Sequence, residues 1–365
     1  MTEVDLAALL RPELAELKPY LPVQGEYAVR LDANEAPPLL SDRARSRLAT
    51  VASQLQWERY PDATVAELRR SIAARCGAAP EEVVVGVGSD EIITLLLTVL
   101  SLPRGRAPAA TVVTTTPTFV MYRMSARVRG MRVMEVPLDE NWDLPVDSIH
   151  HAMEMAAPNL IFIASPNNPT GNLMSRDRLE QVIERAAKSL VVIDEAYINY
   201  ADHDQLDLYR SHPNVVILRT LSKVGFAALR VGWLLGQPDL VAELDKARLP
   251  YNVPTPSQAL ATLAFSELRE EIDHTSRYVI AERTRLTTEL GELDGVEAAR
   301  SDANFLWLQT REPAEVVWSG LAERGILVRS FHASGGRLSH QIRVTVGTRE
   351  QNTLFLNALR EVLAA

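Results

Sequence analysis

Short, unbroken apolar runs punctuate the first two-thirds of this chain. They are Val83-Val84-Val85, Thr111-Val112-Val113, Leu160-Ile161-Phe162-Ile163, Leu190-Val191-Val192-Ile193, Val215-Val216-Ile217-Leu218 and Val231 to Leu235. Between them the apolar positions recur at helical spacing, over 64–75, 89–101, 118–128 and 175–187. Strands without polar alternation are covered on both faces, and intervening helices make parallel connections. The pattern predicts an α/β domain with a large, mostly parallel sheet. After about residue 250 the texture changes: Pro250, Pro254 and Pro256 cluster, and a helical stretch with possible breaks follows over 257–290. A strand is expected over 304–308, a helix over 313–323, a strand over 341–346 and a last helix over 349–363. Gln341-Ile342-Arg343-Val344-Thr345-Val346 alternates, which predicts one apolar and one polar face. This reads as a smaller α+β domain. The first thirty residues are too few to fold alone and are expected to pack on it, and 331–340 reads as a flexible loop. The expected division is 31–249 against 1–30 with 250–365.

The 365 residues are about twice a usual domain, in keeping with two units. With 47 % hydrophobic and 23 % charged residues, the composition is that of a soluble globular chain rather than a disordered one. A net charge of −9 argues against nucleic-acid or basic membrane-docking surfaces. The longest apolar run, near 92–102, is too short to span a bilayer. One cysteine, Cys76, excludes an internal disulfide and a multi-cysteine metal site. The acidic start Met1-Thr2-Glu3-Val4-Asp5 shows no secretory signal, so a cytoplasmic location is expected. P-loop, His-Glu-x-x-His and Gly-x-Ser-x-Gly patterns are all missing. His150-His151 reads as a solvated pair on a surface helix, and no metal site is expected.

Charge becomes informative once it is divided. Of 38 basic residues only four are lysines: Lys18, Lys188, Lys223 and Lys246. Lys223 closes Arg219-Thr220-Leu221-Ser222-Lys223, just past an apolar strand and 29 residues after Asp194, which ends another. A surface charge is the usual role of a lysine, but an amine at a strand end can also form a Schiff base and then move protons, as an arginine cannot. Gly86-Val87-Gly88-Ser89-Asp90-Glu91 leaves a strand and opens a helix, whose free N–H groups suit a phosphate. Glu91 stands where a dinucleotide fingerprint has its third glycine, so a plain strand–helix turn is the alternative. Ser165-Pro166-Asn167-Asn168-Pro169-Thr170-Gly171 holds two asparagines at a third strand end, between prolines that keep the preceding residues out of helical geometry. Together these pieces suggest pyridoxal phosphate. Lys223 would take its aldehyde, and the 88–91 helix start, Ser222 and Arg230 its phosphate. Asp194 would meet its ring nitrogen, and Asn168 and Tyr197 its phenolic oxygen.

The residues now resemble a family. Leu31-Asp32-Ala33-Asn34-Glu35, Arg59-Tyr60-Pro61-Asp62, Gly88-Ser89-Asp90-Glu91, Pro117-Thr118-Phe119, Ser165 to Gly171, Asp194-Glu195-Ala196-Tyr197, Thr220-Leu221-Ser222-Lys223 and Arg343-Val344-Thr345-Val346-Gly347-Thr348 look, in order, like the histidinol-phosphate aminotransferases. That family is of fold type I, within the aspartate-aminotransferase superfamily. The resemblance implies catalytic roles for Lys223, Asp194 and Tyr197. Phe119 would stack on the cofactor ring, and the Ser89 and Asp90 amides, Ser222 and Arg230 would hold its phosphate. Tyr60 would reach that phosphate from a second subunit, which implies a homodimer. Tyr20, Arg329 and Arg343 align with positions that grip the substrate's phosphate, and Asn34 with one near the substrate entrance. A solvated loop charge is the alternative for Arg329, and a packing role for Tyr20.

This chain departs from the family at Ala36-Pro37-Pro38, at Phe119, which lacks the usual hydroxyl, and at Ala228, where glycine is common. The expected reaction is transamination between histidinol phosphate and 2-oxoglutarate, in histidine biosynthesis. An aromatic amino-acid aminotransferase and a threonine-phosphate decarboxylase share most of these residues and stay open. A nucleotide-dependent oxidoreductase would need a better glycine fingerprint. A non-catalytic pyridoxal-phosphate regulator would need a DNA-binding extension.

Overall fold

A computed structural model of the chain describes residues 5, 8–19, 21, 23–105 and 107–364. Its centre is a seven-stranded sheet of β1 (Val83–Val87), β2 (Thr111–Thr116), β3 (Arg132–Pro137), β4 (Leu160–Ala164), β5 (Leu190–Asp194), β6 (Val215–Thr220) and β7 (Val231–Leu235). The spatial order is β1-β7-β6-β5-β4-β2-β3. β2 to β6 run parallel, with Phe162 beside Val192 and Ile193 beside Ile217, while β7 is antiparallel to both neighbours.

Both faces of the sheet are covered, which is why its strands carry no polar alternation. Val84, Val112, Phe162, Val192, Val216 and Leu234 pack with helices Gly88–Val99, Met121–Val128 and Pro238–Ala247. Val85, Val113, Ile161, Val191, Ile217 and Leu235 pack on the other side, with helices Ala66–Cys76, Val146–Ala156 and Arg176–Arg185. Each such valine or isoleucine contributes roughly 1.5–3 kcal/mol when fully buried. β3 was not legible from apolar runs. It lies at the sheet edge, where Arg132 and Glu135 are exposed and keep the edge polar.

A second sheet is antiparallel, in the order β10 (Arg329–Ser330), β11 (Gln341–Thr345), β9 (Phe305–Thr310) and β8 (Val296–Ala298). Helices Arg269–Leu290, Ala314–Glu323 and Arg349–Ala364 supply its core through Val279, Leu286, Val317, Leu321, Phe355 and Leu359. Val29–Arg30 pairs in parallel with Ile326–Leu327, and the Thr345 amide donates to the Leu31 carbonyl at 2.9 Å. Residues 29–31 thus reach the second unit just before the cavity region, whereas the turn Pro12–Glu16 lies against helix Met121–Val128 of the large sheet rather than on the smaller unit as expected.

Three expectations are refined. The helical stretch over 257–290 is two helices, Thr255–Phe265 and Arg269–Leu290. The Leu268 amide closes the first by donating to Leu263 O at 3.1 Å. The polar face of β11 is not solvated: Gln341, Arg343 and Thr345 are all buried. The segment 331–340 contains two short 3₁₀ turns, and Arg337 pins it by donating to Leu138 O and Asp139 O and lying 3.5 Å over the Trp142 ring. Among the described residues no helix is long and apolar enough to cross a membrane.

Candidate active site

The carboxyl ends of β2, β4, β5 and β6 point the same way, and the loops after them meet around a cavity of about 200 Å³. β5 delivers Asp194. Its Oδ2 accepts from the Tyr122 hydroxyl at 2.5 Å and its Oδ1 from the Ala196 amide at 2.9 Å. Burial pushes this carboxyl up to about 6, against the pull of those two donors. Tyr122 itself is wholly buried, stacked on Phe162 at 4.8 Å and edge-on to Phe119 at 5.5 Å. Burial and the Asp194 charge drive its hydroxyl well above the usual tyrosine range, so it stays a donor.

β6 ends at Thr220, and the loop beyond carries Ser222 and Lys223. Thr220 Oγ1 donates to Ser222 Oγ at 3.0 Å and accepts the Ser222 amide at 3.1 Å, which turns the chain sharply. Tyr200 donates its hydroxyl to the Lys223 carbonyl and so anchors the lysine's backbone. The amine lies 5.7 Å from the Tyr197 ring centroid. Arg230 adopts a left-handed backbone (φ 51°), and its guanidinium donates to Ser222 Oγ at 3.2 Å and Asp90 Oδ2 at 3.4 Å. Its carbonyl accepts the Gly88 amide at 2.8 Å, tying the entry of β7 to the start of helix Gly88–Val99. Gly232 is required here: a Cβ at that position would lie 2.4 Å from the Ser89 nitrogen.

The two asparagines after β4 have different jobs. Asn167 is buried and stitches loops together, donating to Pro117 O and Thr170 Oγ1 and accepting from Thr118 Oγ1. Asn168 faces the cavity, where Arg343 Nη1 donates to its Oδ1 at 2.5 Å and Nη2 to Asp32 O at 2.6 Å. Tyr197 accepts from Asn34 Nδ2 at 2.9 Å and packs edge-on against Phe305 at 5.1 Å.

Lys223, Asp194, Tyr197, Asn168, Phe119, Ser222 and Arg230 therefore share one cavity with Ser89, Asp90, Asn34 and Arg343. Asn34 is 2 % exposed and stands behind Tyr197, inside the cavity rather than at an entrance. Two expected residues are not part of that lining. Arg329 lines an adjoining cavity of about 750 Å³ that touches the first through Phe119. Tyr60 is 81 % exposed and stacks on Tyr251 at 4.8 Å. Tyr20 lies outside the described residues. Among the described residues no group of three or more His, Cys, Asp or Glu could hold a metal ion.

Sequence reasoning missed Tyr122 and the pairing of Glu195. A buried tyrosine needs an acceptor for its hydroxyl, but nothing local indicates an aspartate 72 residues away. Glu195 is fully buried, meets Arg219 Nη2 at 2.6 Å and accepts the Gln205 amide at 2.6 Å. Burial raises its carboxyl, and the adjacent Arg219 opposes that shift.

The family profile described as aminotransferase class I and II matches residues 27–359. The chain belongs to the class I and II aminotransferases. Curated members similar to this aminotransferase carry the name histidinol-phosphate aminotransferase. The one from Aquifex aeolicus is 37 % identical, over 97 % of this chain and 98 % of its own length. That from Ruminiclostridium cellulolyticum is 36 % identical, over 96 % and 97 %. Among solved structures, the Sinorhizobium meliloti histidinol-phosphate aminotransferase in complex with pyridoxal-5'-phosphate has the same fold. Its TM-score is 0.85 at 23 % identity, with 97 % of each chain covered. A putative aminotransferase from Burkholderia pseudomallei gives a TM-score of 0.78 at 26 % identity, covering 93 % of this chain and all of that one.

Proposed function

We propose that this aminotransferase moves an amino group between histidinol phosphate and 2-oxoglutarate, with pyridoxal 5'-phosphate in the cavity around Lys223. The observation that carries the reading is an amine and a buried carboxyl, Lys223 and Asp194, sharing a cavity with a helix start and a guanidinium. The residues fit the cofactor. Both donors bonded to Asp194 are neutral, a setting that a protonated ring nitrogen completes. The start of helix Gly88–Val99, Ser222 and Arg230 converge where a phosphate needs donors. Relatives named histidinol-phosphate aminotransferase, similar over nearly the whole chain, support the substrate.

When bound, the cofactor supplies an aldehyde and an electron-withdrawing ring. Asp194 would hold the ring nitrogen protonated, with Tyr122 orienting that carboxylate. Phe119 would lie against the ring, and Asn168 and Tyr197 would address its phenolic oxygen. The Ser89 and Asp90 amides, Ser222 and Arg230 would bind the phosphate. Lys223 Nζ is the amine that would hold the cofactor's aldehyde, and when free it would move the proton at the substrate carbon. Asn34, Arg343 and Arg329 would face the substrate. Tyr60, exposed on its own subunit, reaches the phosphate of a second copy in a homodimer. The reading also divides the chain into 31–249 and 1–30 with 250–365, and places it in the cytoplasm.

The test compares histidinol phosphate, phenylalanine and threonine phosphate by glutamate formed from 2-oxoglutarate. Histidinol phosphate should exceed phenylalanine by about a hundredfold in kcat/KM. Preference for phenylalanine, or carbon dioxide released from threonine phosphate, would overturn the substrate. Lys223→Ala should lose both the protein-bound cofactor's visible absorbance and multiple turnover; a variant retaining both would overturn the role of Lys223.

A further inference from the structure

Glu91 occupies the place where a dinucleotide fingerprint would have glycine, and its side chain folds back over the start of its own helix. Its Oε2 accepts the Val87 amide at 2.6 Å and Asn252 Nδ2 at 2.8 Å. The glycine two residues before the helix makes room for this. A Cβ at Gly86 would lie 3.0 Å from Glu91 Oε2 and 2.9 Å from Ile92 Cδ1. Asn252 is braced in turn: Arg248 donates to its Oδ1 at 2.7 Å and to Ala63 O at 2.8 Å, and holds Asp245 at 3.0 Å. Asp245 also pairs with Arg69. A continuous polar chain therefore runs from the outer helices to the last residue of β1.

The placement has a chemical consequence at the helix start. The Val87 amide is satisfied by Glu91 and the Gly88 amide by the Arg230 carbonyl. The Ser89 and Asp90 amides come next, in the part of the first turn where helix geometry supplies no carbonyl. We infer that Glu91 is a positioning residue for the cofactor phosphate: anchored by Asn252, it holds Val87 so that the Ser89 and Asp90 amides stay aimed at the phosphate. The inference rests on the cofactor reading above. It concerns the placement of Glu91's oxygen, because a negative charge near a phosphate would by itself oppose binding.

The test separates the phosphate from the rest of the cofactor. Cofactor-stripped protein is titrated with pyridoxal 5'-phosphate and, separately, with pyridoxal, which has the aldehyde and ring but no phosphate; binding is read from quenching of intrinsic fluorescence. Glu91→Ala should weaken pyridoxal 5'-phosphate by about tenfold or more and leave pyridoxal within about twofold. Glu91→Gln keeps a carbonyl oxygen able to accept both bonds and should stay within about threefold of the parent. Asn252→Ala should fall between the two. Equal loss of both aldehydes in Glu91→Ala, no loss of either, or a Glu91→Gln variant as weak as Glu91→Ala would overturn the inference. If Glu91→Ala does not fold, Asn252→Ala decides by the same pair of titrations. A parent protein that binds neither aldehyde would instead sink the cofactor reading itself.

Discussion

Asp194 and Glu195 are consecutive, both acidic and both buried, yet they sit in opposite kinds of surroundings. Asp194 ends β5 on the cavity side, bonded to a tyrosine hydroxyl and one amide, with no cation in hydrogen-bond contact. Glu195 turns to the other side of the strand end and is matched by Arg219, which also bonds Asp204 at 2.8 Å. One carboxylate is matched by a cation within the chain, while the other is buried in the cavity with neutral donors alone in hydrogen-bond contact. Burial alone does not mark a functional acid; the identity of its partners does.

The largest effect that would break this contrast lies in activity. Asp194→Ala should reduce kcat/KM by about a thousandfold with the protein still folded, because in the proposed arrangement the ring nitrogen loses its counter-charge. Steady-state kinetics beside a circular-dichroism melt check this, and a loss under tenfold would place Asp194 outside the chemistry. Glu195→Ala should do the reverse. It leaves Arg219 largely buried with only a partly exposed partner, at a cost of about 3–5 kcal/mol in urea unfolding. The folded fraction should keep activity within about tenfold.

The pH dependence sharpens the comparison further. In the cofactor-free chain the Asp194 carboxyl sits at about 6, above its ordinary value of 3.8. A raised folded value means that Asp194's contribution to stability is full below about pH 4 and is lost as pH rises through about 6. Asp194→Asn should remove that loss, so its advantage in urea midpoint over the parent grows by about 2–3 kcal/mol equivalent between pH 4 and pH 6. A constant difference would contradict the raised carboxyl. The smallest effect is Tyr122→Phe, which removes one of the two donors to Asp194. It should cost about 1–2 kcal/mol of stability and move the midpoint of the Asp194-dependent pH slope upward. An unmoved midpoint would show that Tyr122 only fills space.

The large sheet was readable because its strands are buried on both faces. That demand writes itself into consecutive valines and isoleucines, as in Leu190-Val191-Val192-Ile193, and it places Asp194 and Lys223 at strand ends. β3 escaped because an edge strand faces water and keeps Arg132 and Glu135. The gap between helices Thr255–Phe265 and Arg269–Leu290 carries no glycine or proline, so only an approximate break was visible. β11 shows the opposite limit: its alternation was correct, but the polar side faces the cavity region, where Arg343 meets Asn168 and Asp32.

What the sequence by itself determined is a set of local facts: element types from periodicity, strand-end placement of a rare lysine and an aspartate, and a helix start fit for an anion. These depend on residues within a few positions of one another. The tertiary structure decided which of those residues are neighbours. Tyr122 finds Asp194, Asn252 finds Glu91, Arg343 finds Asn168, and Arg329 goes to a different cavity. Such pairings join residues 70 or more positions apart. They are set by how strands order themselves in the sheet and by which close approaches a glycine such as Gly232 permits, and no local pattern encodes either.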